Sequence, residues 1–207
     1  MATGDTKLSI CSDSLIMLGA SPLSSFSDGT DAAQICDRLY DDIRDTVLQL
    51  KPWVFTLKKS QVARTVNTPA SEWKYEYQLP SDRLGSGVRA LFSTADAGAT
   101  PLVEGWEIQG DVILTDQTTV YVDYQFRPSE DVMPTYFCQL LKYWLAWHFA
   151  EGVTDQITKA QYFQLIACGS PSENMRGGMT RQAMAIDGQN NTNNSILDFD
   201  LISVRQT

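Results

Sequence analysis

Ala32-Ala33-Gln34-Ile35-Cys36-Asp37-Arg38-Leu39-Tyr40-Asp41-Asp42-Ile43-Arg44-Asp45-Thr46-Val47-Leu48-Gln49-Leu50-Lys51-Pro52-Trp53-Val54-Phe55-Thr56-Leu57-Lys58-Lys59 is the stretch on which the fold turns. Cys36, Leu39, Tyr40, Ile43, Val47 and Leu50 recur at three- and four-residue spacing, which places one apolar stripe on a helix. Asp37, Arg38, Asp41, Asp42, Arg44, Asp45 and Gln49 fill the other side. Pro52 has no N–H to donate and forces Lys51 out of helical angles, so the helix stops there. Trp53, Phe55 and Leu57 then alternate, which predicts a strand that leaves the helix through an aromatic anchor.

Upstream, residues 6–18 read as a first helix with Asp5 as its cap and Leu8, Cys11, Leu15 and Leu18 inward. Gly19 closes it, and Asp28, Thr30 or Asp31 caps the second helix. From residue 73 the period changes from helical to two. Trp73, Tyr75, Tyr77 and Leu79 form one strand and Val88, Ala90 and Phe92 another. Gly110-Asp111 is a tight-hairpin signal, and Val120, Val122, Tyr124 and Phe126 complete an antiparallel meander. Residues 133–150 are apolar on nearly every face and predict a buried central helix around Trp144; Gln139, Lys142 and His148 argue against a membrane span. It starts at Ser129 or Asp131 and closes at Gly152, and Thr154 or Asp155 caps a fourth helix with Ile157, Ala160, Leu165 and Cys168 inward.

The expected fold class is therefore α+β: a four-helix core made of two helical pairs, an antiparallel meander inserted at 73–127, and an extended C-terminal tail. Residues 1–170 form the main domain and 171–207 a flexible arm, because Gly169, Gly177 and Gly178 weaken any continuing helix and residues 188–195 are polar and low in complexity. Leu197, Phe199 and Leu201 then alternate with Asp198 and Asp200 ahead of Arg205, a pattern suited to strand addition on a partner.

A net charge of −9 opposes a surface that grips the phosphate backbone. Cys11, Cys36, Cys138 and Cys168 lack the close spacing of a zinc or redox motif and read as reduced core residues. The six polar residues at the start do not read as a secretory leader. The single histidine, His148, sits between Trp147 and Phe149 and reads as a packing residue. No catalytic, cofactor-binding or metal-binding set emerges, so the chain is not expected to be an enzyme. Asp41, Asp42 and Asp45 leave a carboxylate-based glycan hydrolase as the remaining catalytic alternative, though their interleaving with Arg38 and Arg44 is that of a solvated, ion-paired face.

Several stretches resemble, in order, the tail tubular protein A family, the head-to-tail adaptors of short-tailed bacteriophages. These are residues 15–22 (Leu15 to Pro22), Ile35 to Tyr40, Arg44 to Leu48, Pro52 to Phe55, Tyr75 to Pro80, and Val122-Asp123-Tyr124. The resemblance implies a structural virion protein at the head–tail junction, assembled in the host cytoplasm. It implies docking on the portal protein as a twelve-membered ring that extends the DNA channel and receives the tail nozzle protein. DNA would pass without specific binding, no membrane would be involved, and no cofactor would be needed. Leu197, Asp198, Phe199, Leu201 and Arg205 would be the portal-binding arm. Candidate contacts between subunits are Arg38, Asp41, Arg44, Asp45, Lys58 and Lys59, while Trp53, Phe55 and Trp144 are structural anchors. A head-completion protein of a long-tailed phage is the alternative within the same class.

Overall fold

The structure is a computed structural model that describes residues 4–96 and 98–190. Its helices are α1 (Lys7–Met17), α2 (Asp31–Gln49), α3 (Thr135–Thr154), α4 (Ile157–Cys168) and α5 (Gly178–Gln189). Its strands are β1 (Leu57–Gln61), β2 (Tyr75–Gln78), β3 (Arg83–Phe92), β4 (Trp106–Gln109), β5 (Val112–Thr115) and β6 (Tyr121–Phe126). The α+β class holds, with one helix more than the sequence suggested.

The stripe on α2 is buried as its spacing requires: Cys36, Tyr40, Ile43, Val47 and Leu48 all face the helical core. Thr30 is the cap, accepting from the Ala33 N–H at 3.2 Å. On α1 the cap is Thr6 rather than Asp5, because Thr6 and Ser9 exchange side-chain and backbone bonds in a capping box. α3 runs through the centre with Phe137, Leu140, Leu141, Trp144, Leu145 and Phe149 buried. Gly152 does not end it. A Cβ there would lie 3.0 Å from Ile35 Cδ1, so this glycine lets α2 and α3 approach. The helix closes instead at Asp155, which adopts left-handed angles (φ 52°). Asp155 therefore caps the end of α3, and α4 starts from Gln156 without a side-chain cap.

The alternating residues beyond Pro52 begin as a single 3₁₀ turn, Val54–Thr56, and the strand starts only at Leu57. The end of α2 draws donors from beyond the helix in addition to the Leu50 N–H, which bonds Val47 O at 3.3 Å. The Trp53 indole N–H donates to Val47 O at 3.2 Å, and the Gln125 amide donates to Leu48 O at 2.7 Å and Lys51 O at 3.2 Å. Folding Trp53 back to reach Val47 tightens the chain into the turn.

The strands form two three-stranded antiparallel sheets, β1-β6-β3 and β2-β5-β4, in place of one meander. Only β4 and β5 pair as sequence neighbours, across Gly110 at φ 59°. β1 lies upstream of the expected insertion yet pairs with β6 from Leu57↔Gln125 to Gln61↔Tyr121. Residues just past β1 stitch the sheets together: Val62 N–H donates to Val120 O, Thr65 N–H to Glu76 O and Gln78 N–H to Ala63 O. A second core of Val62, Tyr77, Leu79, Leu91, Ile113, Val120, Val122 and Tyr124 fills the space between them.

Over residues 171–190 the expected arm is folded chain. Residues Pro171–Glu173 form a 3₁₀ turn, and α5 packs against α3 and α4. The glycines that seemed to interrupt a helix allow a close crossing. The Gly177 N–H donates to Cys168 O at 2.9 Å, and Cβ atoms at Gly169 and Gly178 would come within 2.7 Å of Gly177 Cα and 2.2 Å of Ile166 O. Cys11, Cys36, Cys138 and Cys168 are all buried. Among the described residues no helix is long and apolar enough to cross a membrane.

Candidate assembly surface

Part of the polar face of α2 is tied into the subunit, while Asp37, Arg38, Asp41 and Asp42 stay exposed. Arg44 is buried, and its guanidinium lies 3.0 Å from each of Asp41, Asp45 and Glu130. Burial opposes its charge, but the bonds from Glu130, Asp45 and Asp41 outweigh that and raise its proton affinity. Asp45 also pairs with Arg127 just beyond β6, and Tyr40 donates to Glu130 at 3.3 Å. Lys7 of α1 bridges Asp37 at 3.0 Å and Asp41 at 3.3 Å. This cluster therefore clamps α2 to α1, to the sheet and to the approach to α3. Arg44 has no surface to offer a neighbour. Arg38 is exposed and makes no ion pair among the described residues.

Lys58 is likewise engaged, 2.8 Å from Asp82, whose other oxygen accepts from Tyr124 at 2.8 Å. Desolvation acts against the Asp82 charge, yet the bonds from Lys58 and Tyr124 hold its carboxyl below the usual range. Lys59 differs. Its ammonium lies 3.3 Å from the centre of the Phe92 ring and has no carboxylate within ion-pair distance among the described residues.

Trp53 is fully buried, with ring centroids 5.2 Å from Phe137 and 6.3 Å from Phe55. Trp144 donates to Thr180 Oγ1 at 3.1 Å, and Thr180 donates on to Ala167 O at 2.8 Å, which ties α3, α5 and α4 together.

The sequence reading missed Asp187. This α5 carboxylate has no exposure and meets Lys51 Nζ at 2.7 Å, the Tyr136 hydroxyl at 2.7 Å and the Val54 N–H at 3.2 Å. Burial first, and then the adjacent carboxylate, push the Tyr136 hydroxyl above its ordinary range. A usable signal was present: Thr180, Ala183 and Asp187 follow helical spacing and are the buried residues of α5. An acid in register with a buried stripe needs a cation, and Lys51 beside Pro52 supplies it.

The outer surface is apolar where the sequence expected a core. Ile157 and Leu165 on α4 are 61% and 57% exposed, together with Tyr162 at 61%; the buried face of α4 is Phe163, Ala167 and Cys168. Two hollows flank α3. One of about 450 Å³ lies against α5 and is lined by Tyr136, Gln139, Met179 and Ile186; the other, of about 280 Å³, lies against α2 and is lined by Leu39, Asp42, Trp144 and His148. His148 is exposed at that rim rather than in the core, with Nδ1 2.8 Å from Trp144 O. Burial of part of the ring lowers its proton affinity against the opposing effect of that backbone bond. The arm residues Leu197, Asp198, Phe199, Leu201 and Arg205 lie outside the described residues.

No family model matches the chain, and no curated protein matches it. Among solved structures, a similar chain is described as part of the "Neck of empty GTA particle computed with C6 symmetry". It is 16% identical over 72% of this chain and 83% of that chain, with a TM-score of 0.28. An overlap that loose carries no argument about function.

Proposed function

We propose that the chain is a structural subunit of a phage head–tail junction, an adaptor that docks on the portal, extends the DNA channel and receives the tail nozzle. The observation that carries this reading is the apolar outer face of α4. Ile157, Tyr162 and Leu165 stand out from a helix whose opposite side already packs on α3 and α5, and large exposed apolar groups grouped on one element favour a protein surface over water. The resemblance of several short stretches, in order, to the tail tubular protein A family points to the same reading. A net charge of −9 suits a channel that DNA must traverse without adhering. The chain has a structural role in this reading and no chemistry of its own: Asp41 and Asp45 are ion-paired clamps between elements, not a hydrolytic pair.

In a cyclic ring each copy meets its neighbours through two different surfaces. The ring forms on the portal, with residues 196–207 as the portal-seeking segment. The purified chain is therefore expected to sediment as monomers or small oligomers alone and as a large ring when portal protein is added. Truncation after Asn190 is expected to abolish that capture while leaving the thermal melt unchanged. A stable large ring without portal, or full capture by the truncated chain, contradicts this scheme.

A further inference from the structure

The two sheets end in edges of opposite charge. β1 and β4 are each the outer strand of a sheet, so each has a second edge whose backbone N–H and C=O groups form no ladder. On β1, Lys59 shares the exposed face with Gln61. Its charge meets only the Phe92 ring, although Asp123 stands opposite it on β6. Lys58, Lys59, Arg89 and Asp123 line the same hollow of about 210 Å³. On β4, Glu107 and Gln109 occupy the exposed positions while Trp106 and Ile108 pack on the sheet core. The Glu107 carboxylate receives only neutral donors, Trp73 Nε1 at 3.4 Å and Gln109 Nε2 at 3.4 Å.

We propose that the β1 edge of one copy pairs with the β4 edge of a second copy, setting Lys59 beside Glu107. The faces match: with Lys59 and Glu107 on the same outer side, Trp106 and Ile108 of the incoming strand lie on the side of the sheet that carries its core. Cross-strand pairs of opposite charge then select the register. Because β1 and β4 are different surfaces, the contact is heterologous and repeats from copy to copy, the form a closed ring needs. The inference rests on the adaptor reading, which supplies the ring. Lysines on an edge strand also deter pairing, and that is the outcome the experiment must separate.

The experiment compares ring formation on purified portal protein by the full-length chain, by Lys59→Glu, by Glu107→Lys and by the double variant. Mass is read by sedimentation, and a thermal melt checks folding. Glu107 is exposed, so Glu107→Lys is expected to melt with the parent, whereas Lys59→Glu loses the Phe92 contact and faces Asp123, so its melt is expected to fall by a few degrees while staying a single cooperative transition. Each single reversal is expected to raise the concentration needed for the ring about tenfold, and the double variant to return within about threefold of the parent. A parent ring that single reversals leave unmoved, or a double variant no better than the singles, overturns the edge pairing and leaves the adaptor reading standing. A parent that forms no ring on the portal overturns the adaptor reading and the edge pairing with it.

Discussion

Asp187→Ala is expected to destabilise the fold by about 3 kcal/mol, the low end of the range for removing one partner of a buried ion pair. The carboxylate satisfies Lys51, the Tyr136 hydroxyl and the Val54 N–H together. Its loss leaves all three short of a partner in a place where water has poor access. The low end applies because Lys51 keeps a quarter of its side chain in solvent and retains Met184 O at 3.2 Å. For a chain of this size the melting temperature should fall by about 6–12 °C. A urea titration checks it: the midpoint should drop with the slope unchanged. The double variant Lys51→Met/Asp187→Leu, which removes both charges and keeps the volume, should recover more than half of the loss. A loss below about 1 kcal/mol for Asp187→Ala would mean that the site is wet and that α5 is held by apolar packing alone.

Gly178→Ala is the second large effect. Gly178 has φ +50°, and an added Cβ would stand 2.2 Å from Ile166 O and 3.1 Å from Gly169 N, both backbone atoms that cannot swing aside. The left-handed angles alone cost an alanine about 1–2 kcal/mol, and the displaced backbone raises the total to about 3 kcal/mol. The strain falls at the start of α5, so hydrogen exchange should quicken across Gly178–Gln189 before it does in α3. Gly188→Ala is the control. Its Cβ would meet nothing within 4 Å, so the variant should match the parent or exceed it slightly. Equal exchange in the two variants would show that α5 does not depend on the tight crossing.

These two residues also show where the sequence was legible. Period alone sufficed for α2 and α3, because both bury residues at helical spacing and Pro52 marks a hard stop. It failed at the first turn after Pro52, where Trp53 alternates like a strand residue but folds back to donate its indole N–H to the end of α2. It failed again for the sheets. Alternation identifies strands and says nothing about which edge meets which, so β1 and β6, separated by more than half of the described sheet region, looked unrelated. Gly169, Gly177 and Gly178 were read as loose chain, whereas a close helix crossing calls for the same residue. The charged residues of α2 were legible as a paired face, but Arg44 has its partners inside its own subunit, Asp41 and Asp45 on α2 and Glu130 just ahead of α3. Arg44 thereby drops out as a contact between copies, and the outer face of α4 and the edges of the sheets join the remaining candidates. Apolar residues on α4 misled for a simple reason: burial was assumed for Ile157 and Leu165, which stand exposed, while Phe163, Ala167 and Cys168 carry the buried face.

Electron microscopy of intact particles bearing antibody fragments against this chain tests the adaptor reading most directly. Label is expected at a single vertex, between head and tail, and nowhere else on the particle. Label spread over the capsid, confined to the distal tail, or absent from purified particles would contradict it.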